Sequence, residues 1–113
     1  MVYLDIPRTL LMGRSRYVVS TPAKYIKPDK IILPKEVARS VLVHDVAVDG
    51  ESAWALGFKG PLPGLVFDEL AIGVHPFRHR IAKSCILLTV TNETDTNLWF
   101  SGQIVGMRHT PSS

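Results

Sequence analysis

Prolines at Pro7, Pro22, Pro28 and Pro34 limit this chain more than any other feature of its sequence. Each holds φ near roughly −65° and supplies no amide hydrogen, so neither a helix interior nor a central strand can run through it. The first third is thereby confined to short extended pieces, edges and turns. Tyr17-Val18-Val19 and Lys30-Ile31-Ile32-Leu33 are the strand candidates there. Pro34 to Ala38 suits one helical turn, because proline is tolerated at a first helical position.

Past residue 39 the apolar residues fall in longer β-branched runs. Ser40 to Asp49 ends in Asp49-Gly50, a strong signal for a tight turn, and its parity slips at His44-Asp45. Such a slip marks a bulge or a strand buried on both faces. Ser52 to Leu56 is expected to return antiparallel, and Gly57 to Gly64, holding Pro61 and Pro63, to form an irregular loop. Leu65 to Ile72 fits either a strand or two short helical turns closed by Gly73, and Val74 to Lys83 reads as a loop leading into a strand. The two clearest strands follow. Ser84 to Thr91 carries Ile86, Leu88 and Val90 on one face, and Leu98 to Met107 carries Phe100, Gly102 and Ile104 on one face. The polar run Asn92 to Asn97 between them predicts a hairpin.

About seven or eight short strands with almost no helical periodicity predict an all-β, single-domain β-sandwich. The jelly-roll type accommodates the proline-rich start in its long crossing connections. Residues 1 to 35 are then expected as an extended N-terminal arm, and residues 36 to 113 as the sandwich core. A hydrophobic fraction of 46% against 20% charged residues excludes a disordered chain. No apolar stretch approaches the roughly 20 residues of a membrane-spanning helix, and the N-terminus lacks the pattern of a secretory signal. A soluble protein acting where it is made is the expectation, with no membrane partner. Cys85 is the only cysteine and lies in an apolar run, which predicts a buried, inert thiol.

Charge is unevenly placed. Residues 1 to 39 hold eight basic and three acidic groups, residues 40 to 73 one and five, and residues 74 to 113 four and two. The cations are spread singly through Arg14, Arg16, Lys24, Lys27 and Lys30 rather than clustered with aromatic rings, so direct nucleic-acid binding is not expected. Two readings remain. The basic residues form a solvated face, or a basic arm meets an acidic patch of Asp45, Asp49, Glu51, Asp68 and Glu69 on a neighbouring subunit.

Nothing in the sequence predicts a catalytic, cofactor or metal site. His75 and His79 are four apart but separated by Pro76, and Arg78 and Arg80 disfavour a cation beside them. His44 and Asp45 are adjacent on a strand, which predicts opposite faces and no acid–base pair. Ser101 has glycine on one side only, unlike a nucleophile elbow, and the prolines in Gly57 to Gly64 remove donors a phosphate cradle needs. Asn92-Glu93-Thr94 fits both a glycosylation pattern and a turn, and the turn is preferred. Trp54, Trp99, Phe58 and Phe100 could serve as platforms for sugar rings. Because Trp99 and Phe100 are adjacent, one is expected in the core and the other free for an interface or ligand.

Four loose motifs occur in order between residues 25 and 107. They are Lys27-Pro28-Asp29-Lys30 before Ile31 to Pro34; Val46 to Ser52; Gly60-Pro61-Leu62-Pro63 before Phe67-Asp68-Glu69; and Leu88 to Asn92 before Phe100 to Gly106. Together they resemble small proteins encoded among the structural genes of tailed bacteriophages. This resemblance implies a non-enzymatic jelly-roll virion protein, similar to cement or decoration proteins that sit as trimers on a capsid. It implies self-association as a homotrimer, contact with the major capsid or other virion proteins, and a place in the virion after assembly in the host cytoplasm. Lys24, Lys27 and Lys30 on one side, and Asp49, Glu51, Asp68 and Glu69 on the other, are the candidate interface, with Trp54 or Trp99 as its aromatic anchor. Ala53-Trp54 departs from the polar character of the pattern. The alternative is a carbohydrate- or ligand-binding β-sandwich.

Overall fold

The computed structural model describes residues 2–52, 62–67 and 81–109. They form strands β1 (Val2–Leu11), β2 (Arg16–Pro22), β3 (Ile26–Ile32), a short helix α1 (Lys35–Ala38), β4 (Val41–Val48), β5 (Glu51–Ser52), β6 (Leu62–Pro63), a 3-10 turn (Gly64–Phe67), β7 (Cys85–Asn92) and β8 (Leu98–Arg108). Two antiparallel sheets result. One has the order β1-β8-β3, the other β2-β7-β4-β5, with β6 also against β4. The first strand meets the last and the second meets the penultimate described strand, so the chain closes as nested pairs: Tyr3 lies opposite Val105, and Tyr17 opposite Val90.

Alternation then builds the interior. Ile6, Leu11, Ile31, Phe100 and Ile104 from the smaller sheet, and Val19, Val43, Val46, Ile86, Leu88 and Val90 from the larger, bury their side chains in one shared core. Burying such side chains stabilises by about 1.5–3 kcal/mol each before entropy is charged against it. Leu33, Val37 and Ala38, around the one-turn helix, join the same core.

Within the described strands the prolines keep to outer ones, as expected, but the arm is corrected. Residues 1 to 35 are not an extended arm, because Val2 to Ile32 supplies three strands shared between both sheets. Pro7, Pro22, Pro28 and Pro63 lie in β1, β2, β3 and β6, whereas β4, β7 and β8, each paired on two sides, contain none. A residue without an amide hydrogen fits an outer strand as well as it fits an arm. The register shifts between Ile6 and Thr9 and between Pro28 and Lys30 absorb two of these prolines as bulges. Across from the second bulge, Gly106 lets β3 approach closely, since a Cβ there would run into the Lys27 carbonyl.

The expected hairpin is also corrected. β7 and β8 are strands where predicted, but they belong to different sheets, and Asn92 to Asn97 carries the chain across the core. Ile86, Leu88 and Val90 of β7 and Phe100 and Ile104 of β8 are buried in the shared core from opposite sheets rather than side by side. Asn92, 0% exposed, makes the crossing possible. Its amide nitrogen donates to the carbonyls of Leu11, Met12 and Thr96, and its Oδ1 accepts from Thr94 N and Oγ1. A buried, fully engaged amide cannot carry a glycan, so the turn reading of Asn92 holds.

Candidate functional site

Two outward faces and one end of the sheets carry polar chemistry. At one end, Asp49 and Gly50 have φ of +53° and +88° and join β4 to β5 as the tight turn expected from their sequence. The Asp49 carboxylate accepts from the backbone amides of Lys83, Ser84 and Cys85 and from Ser84 Oγ, at 2.8 to 3.2 Å. Desolvation alone would raise its pKa; the four hydrogen bonds outweigh it and hold the carboxyl down to about 2. Asp49 therefore pins a turn to the start of β7, which occupies both its oxygens within the subunit.

On the outer face of the larger sheet, the bulge between Val43 and Asp45 breaks the alternation. Asp45 pairs with outward Thr89, and the His44 ring reaches outward Arg16 and Thr91, so the two side chains share a face instead of opposing each other. Arg16 Nη2 lies 2.7 Å from His44 Nδ1, and His44 Nε2 lies 2.6 Å from Thr91 Oγ1. A guanidinium only donates, so Nδ1 accepts and Nε2 carries the proton of the neutral ring. Partial desolvation, then the Arg16 charge, lower the His44 pKa against an opposing effect of Glu93. Cys85, expected to be buried, is half-exposed on this sheet, with Ser84 Oγ 4.0 Å from its sulfur.

The outer face of the smaller sheet is different in kind. Tyr3 and Leu10 of β1 and Trp99 and Met107 of β8 point outward and are exposed. Leu10 is directly opposite Trp99, and the Arg8 guanidinium lies 4.4 Å from the centre of the indole. On the far side, Lys27 and Lys30 are opposite Met107 and Val105. Asp5 and Gln103 make a 3.1 Å hydrogen bond across the middle. Of the adjacent aromatics, Phe100 is 0% exposed and Trp99 50%, so the core and free roles fall to these respectively.

The residues singled out from sequence divide accordingly. Trp99, Lys27 and Lys30 share the smaller sheet's face, and Lys24 follows β2 in the connection to β3. Asp45, Asp49 and Glu51 belong to the larger sheet. Trp54, Asp68, Glu69, His75 and His79 lie outside the described residues. Among the described residues no cluster of three or more His, Cys, Asp or Glu side chains is placed to hold a metal, and no helix is long and apolar enough to cross a membrane. Sequence reasoning missed Tyr3, Arg8 and Leu10. The signal was present, since Val2, Leu4 and Ile6 alternate with Tyr3 and Asp5, but Pro7 obscured it. Comparison with protein-family models, curated proteins and solved structures returned no match.

Proposed function

We propose that this chain is a non-enzymatic virion structural protein, a trimeric capsid cement or decoration subunit built on a jelly roll. The nested pairing supports the jelly roll: β1 with β8, β2 with β7 and β4 with β5 are the pairs expected when a long antiparallel ribbon is rolled into two layers. β6 departs from that scheme by lying against β4. The observation that carries the assembly reading is the outer face of the smaller sheet. Aromatic residues, methionine and arginine are enriched at protein interfaces, and Tyr3, Arg8, Trp99 and Met107 bring these types together on one sheet face. Trp99 is the anchor, and Lys27 and Lys30 give that surface its basic border, suited to acidic groups of a neighbouring subunit or of the shell.

Sedimentation of the full chain tests this. The parent should run as a trimer, and Trp99→Ala combined with Leu10→Ser should shift it toward monomer without loss of fold. A parent that is monomeric and recovers no shell protein on co-purification would overturn the proposal. The exposed indole also favours a second reading, a carbohydrate-binding module. A glycan array with saturable binding that disappears in Trp99→Ala would select it over assembly.

A further inference from the structure

At the end of the molecule where β2 leaves one sheet and β8 ends the other, the layers part around an open cleft of about 460 Å³. Its floor is apolar, made by Leu4, Ala23 and Ile26, and its rim carries Lys24, Lys83 and Arg108. The position of Arg108 is unusual for a charge. It is exposed, yet its parity in β8 is that of Phe100 and Ile104 and it pairs with buried Ile26, so it leaves the strand on the side of the cleft rather than on the outer face. Among the described residues no Asp or Glu lines the cleft, and none of the three cations is in an ion pair. Asp49 stands beside the cleft and offsets part of this charge, but its carboxylate accepts from the backbone amides of Lys83, Ser84 and Cys85 and from Ser84 Oγ rather than from any of the three cationic groups.

Three like charges around one concavity repel one another, and low-dielectric walls focus their field into it. An anion relieves that repulsion, and the volume is that of a small-molecule site, mostly apolar with a few convergent polar groups. The geometry points to a binding site for a compact organic anion, a carboxylate or phosphate monoester with a short apolar tail. The anionic head sits among Lys24, Lys83 and Arg108, and the tail lies on Leu4, Ala23 and Ile26. This site is independent of the assembly surface, which occupies the outer face of the smaller sheet.

The test is an amide-resolved NMR titration of the full chain with hexanoate, hexyl phosphate, hexanol and inorganic phosphate. Saturable shifts at Lys24, Ile26, Lys83 and Arg108 are expected with one or both amphiphilic anions, and their relative affinity distinguishes a carboxylate from a phosphate ligand. Hexanol and inorganic phosphate should each bind at least about tenfold more weakly, as each lacks half of the interaction. Lys24→Gln with Lys83→Gln keeps much of both stems and should weaken the anions at least about tenfold while the spectrum stays dispersed. Absence of saturable shifts at these residues up to about 10 mM, equal binding of hexanol, or unchanged affinity in the folded double variant would overturn the proposal.

Discussion

The two sheets obey one alternation rule on their inner faces and diverge on their outer ones. Outside the larger sheet, Arg16, His44 and Thr91 satisfy one another at 2.6 and 2.7 Å. Outside the smaller sheet, Tyr3, Leu10, Trp99 and Met107 stand exposed. An outward position is thus not polar by default. The larger sheet's face carries this hydrogen-bonded chain with Val18 of β2 exposed beside it, whereas the smaller sheet's face gathers four large apolar groups whose removal from water needs something beyond the subunit.

The largest test of this division uses neighbours on one strand. Phe100→Ala should cost about 3–5 kcal/mol in urea unfolding, because it empties the core. Trp99→Ala, compared at a dilution where the subunit is monomeric, should cost less than about 1 kcal/mol, the worth of its contact with Arg8 and little more. Equal losses would erase the distinction between the inner and outer face of β8. Asn92→Ala comes next at about 2–3 kcal/mol, since it leaves the buried carbonyl of Leu11 and the part-buried carbonyls of Met12 and Thr96 without their donor. Thermal unfolding of the variant checks it.

Smaller effects belong to the larger sheet and are read against pH. The folded Asp49 carboxyl titrates at about 2 against an ordinary 3.8, so the unfolded chain takes up its proton first as pH falls. The stabilisation is complete above about pH 4 and is lost as pH falls through about 2; discounted for solvent exposure, it amounts to about 1 kcal/mol. Chemical unfolding of the parent from pH 5 to about 2 should show this slope, and Asp49→Asn should flatten it. The smallest effect is at His44. With a folded pKa below the ordinary 6.5, its contribution is full above that value and is lost as pH falls through the lower one, where Nδ1 gains a proton facing Arg16. An NMR titration should place its midpoint below 6.5, and Arg16→Gln should move it upward.

What was legible in the sequence follows from how locally it is specified. The Asp49-Gly50 turn, the slip at His44, the one-turn helix, and the core and exposed roles within Trp99-Phe100 are set by neighbouring residues, and each is found. Pairing is set by partners far along the chain. Asn92 to Asn97 has the composition of a hairpin turn, and nothing local reveals that the Asn92 amide is claimed by Leu11 and Met12 instead. The prolines misled for the same reason, since an outer strand and a detached arm place the same demand on the backbone. In the candidate site, Trp99, Lys27 and Lys30 were legible as residue types. Their shared face with Tyr3 and Leu10 depends on the pairing of β1 with β8, which residue type does not encode.

The nested pairing also orders events during synthesis. β1 and β3 both need β8, and β2 needs β7, so the early strands leave the ribosome well before the segments that complete their ladders. Until then their apolar faces and unpaired amides must wait, exposed to other nascent chains. Such distant partners slow folding into the millisecond-to-second range on the order typical of β topologies. Seen this way, the prolines of the first three strands have a second use. They interrupt the edges that would otherwise invite aggregation while the molecule is still half made.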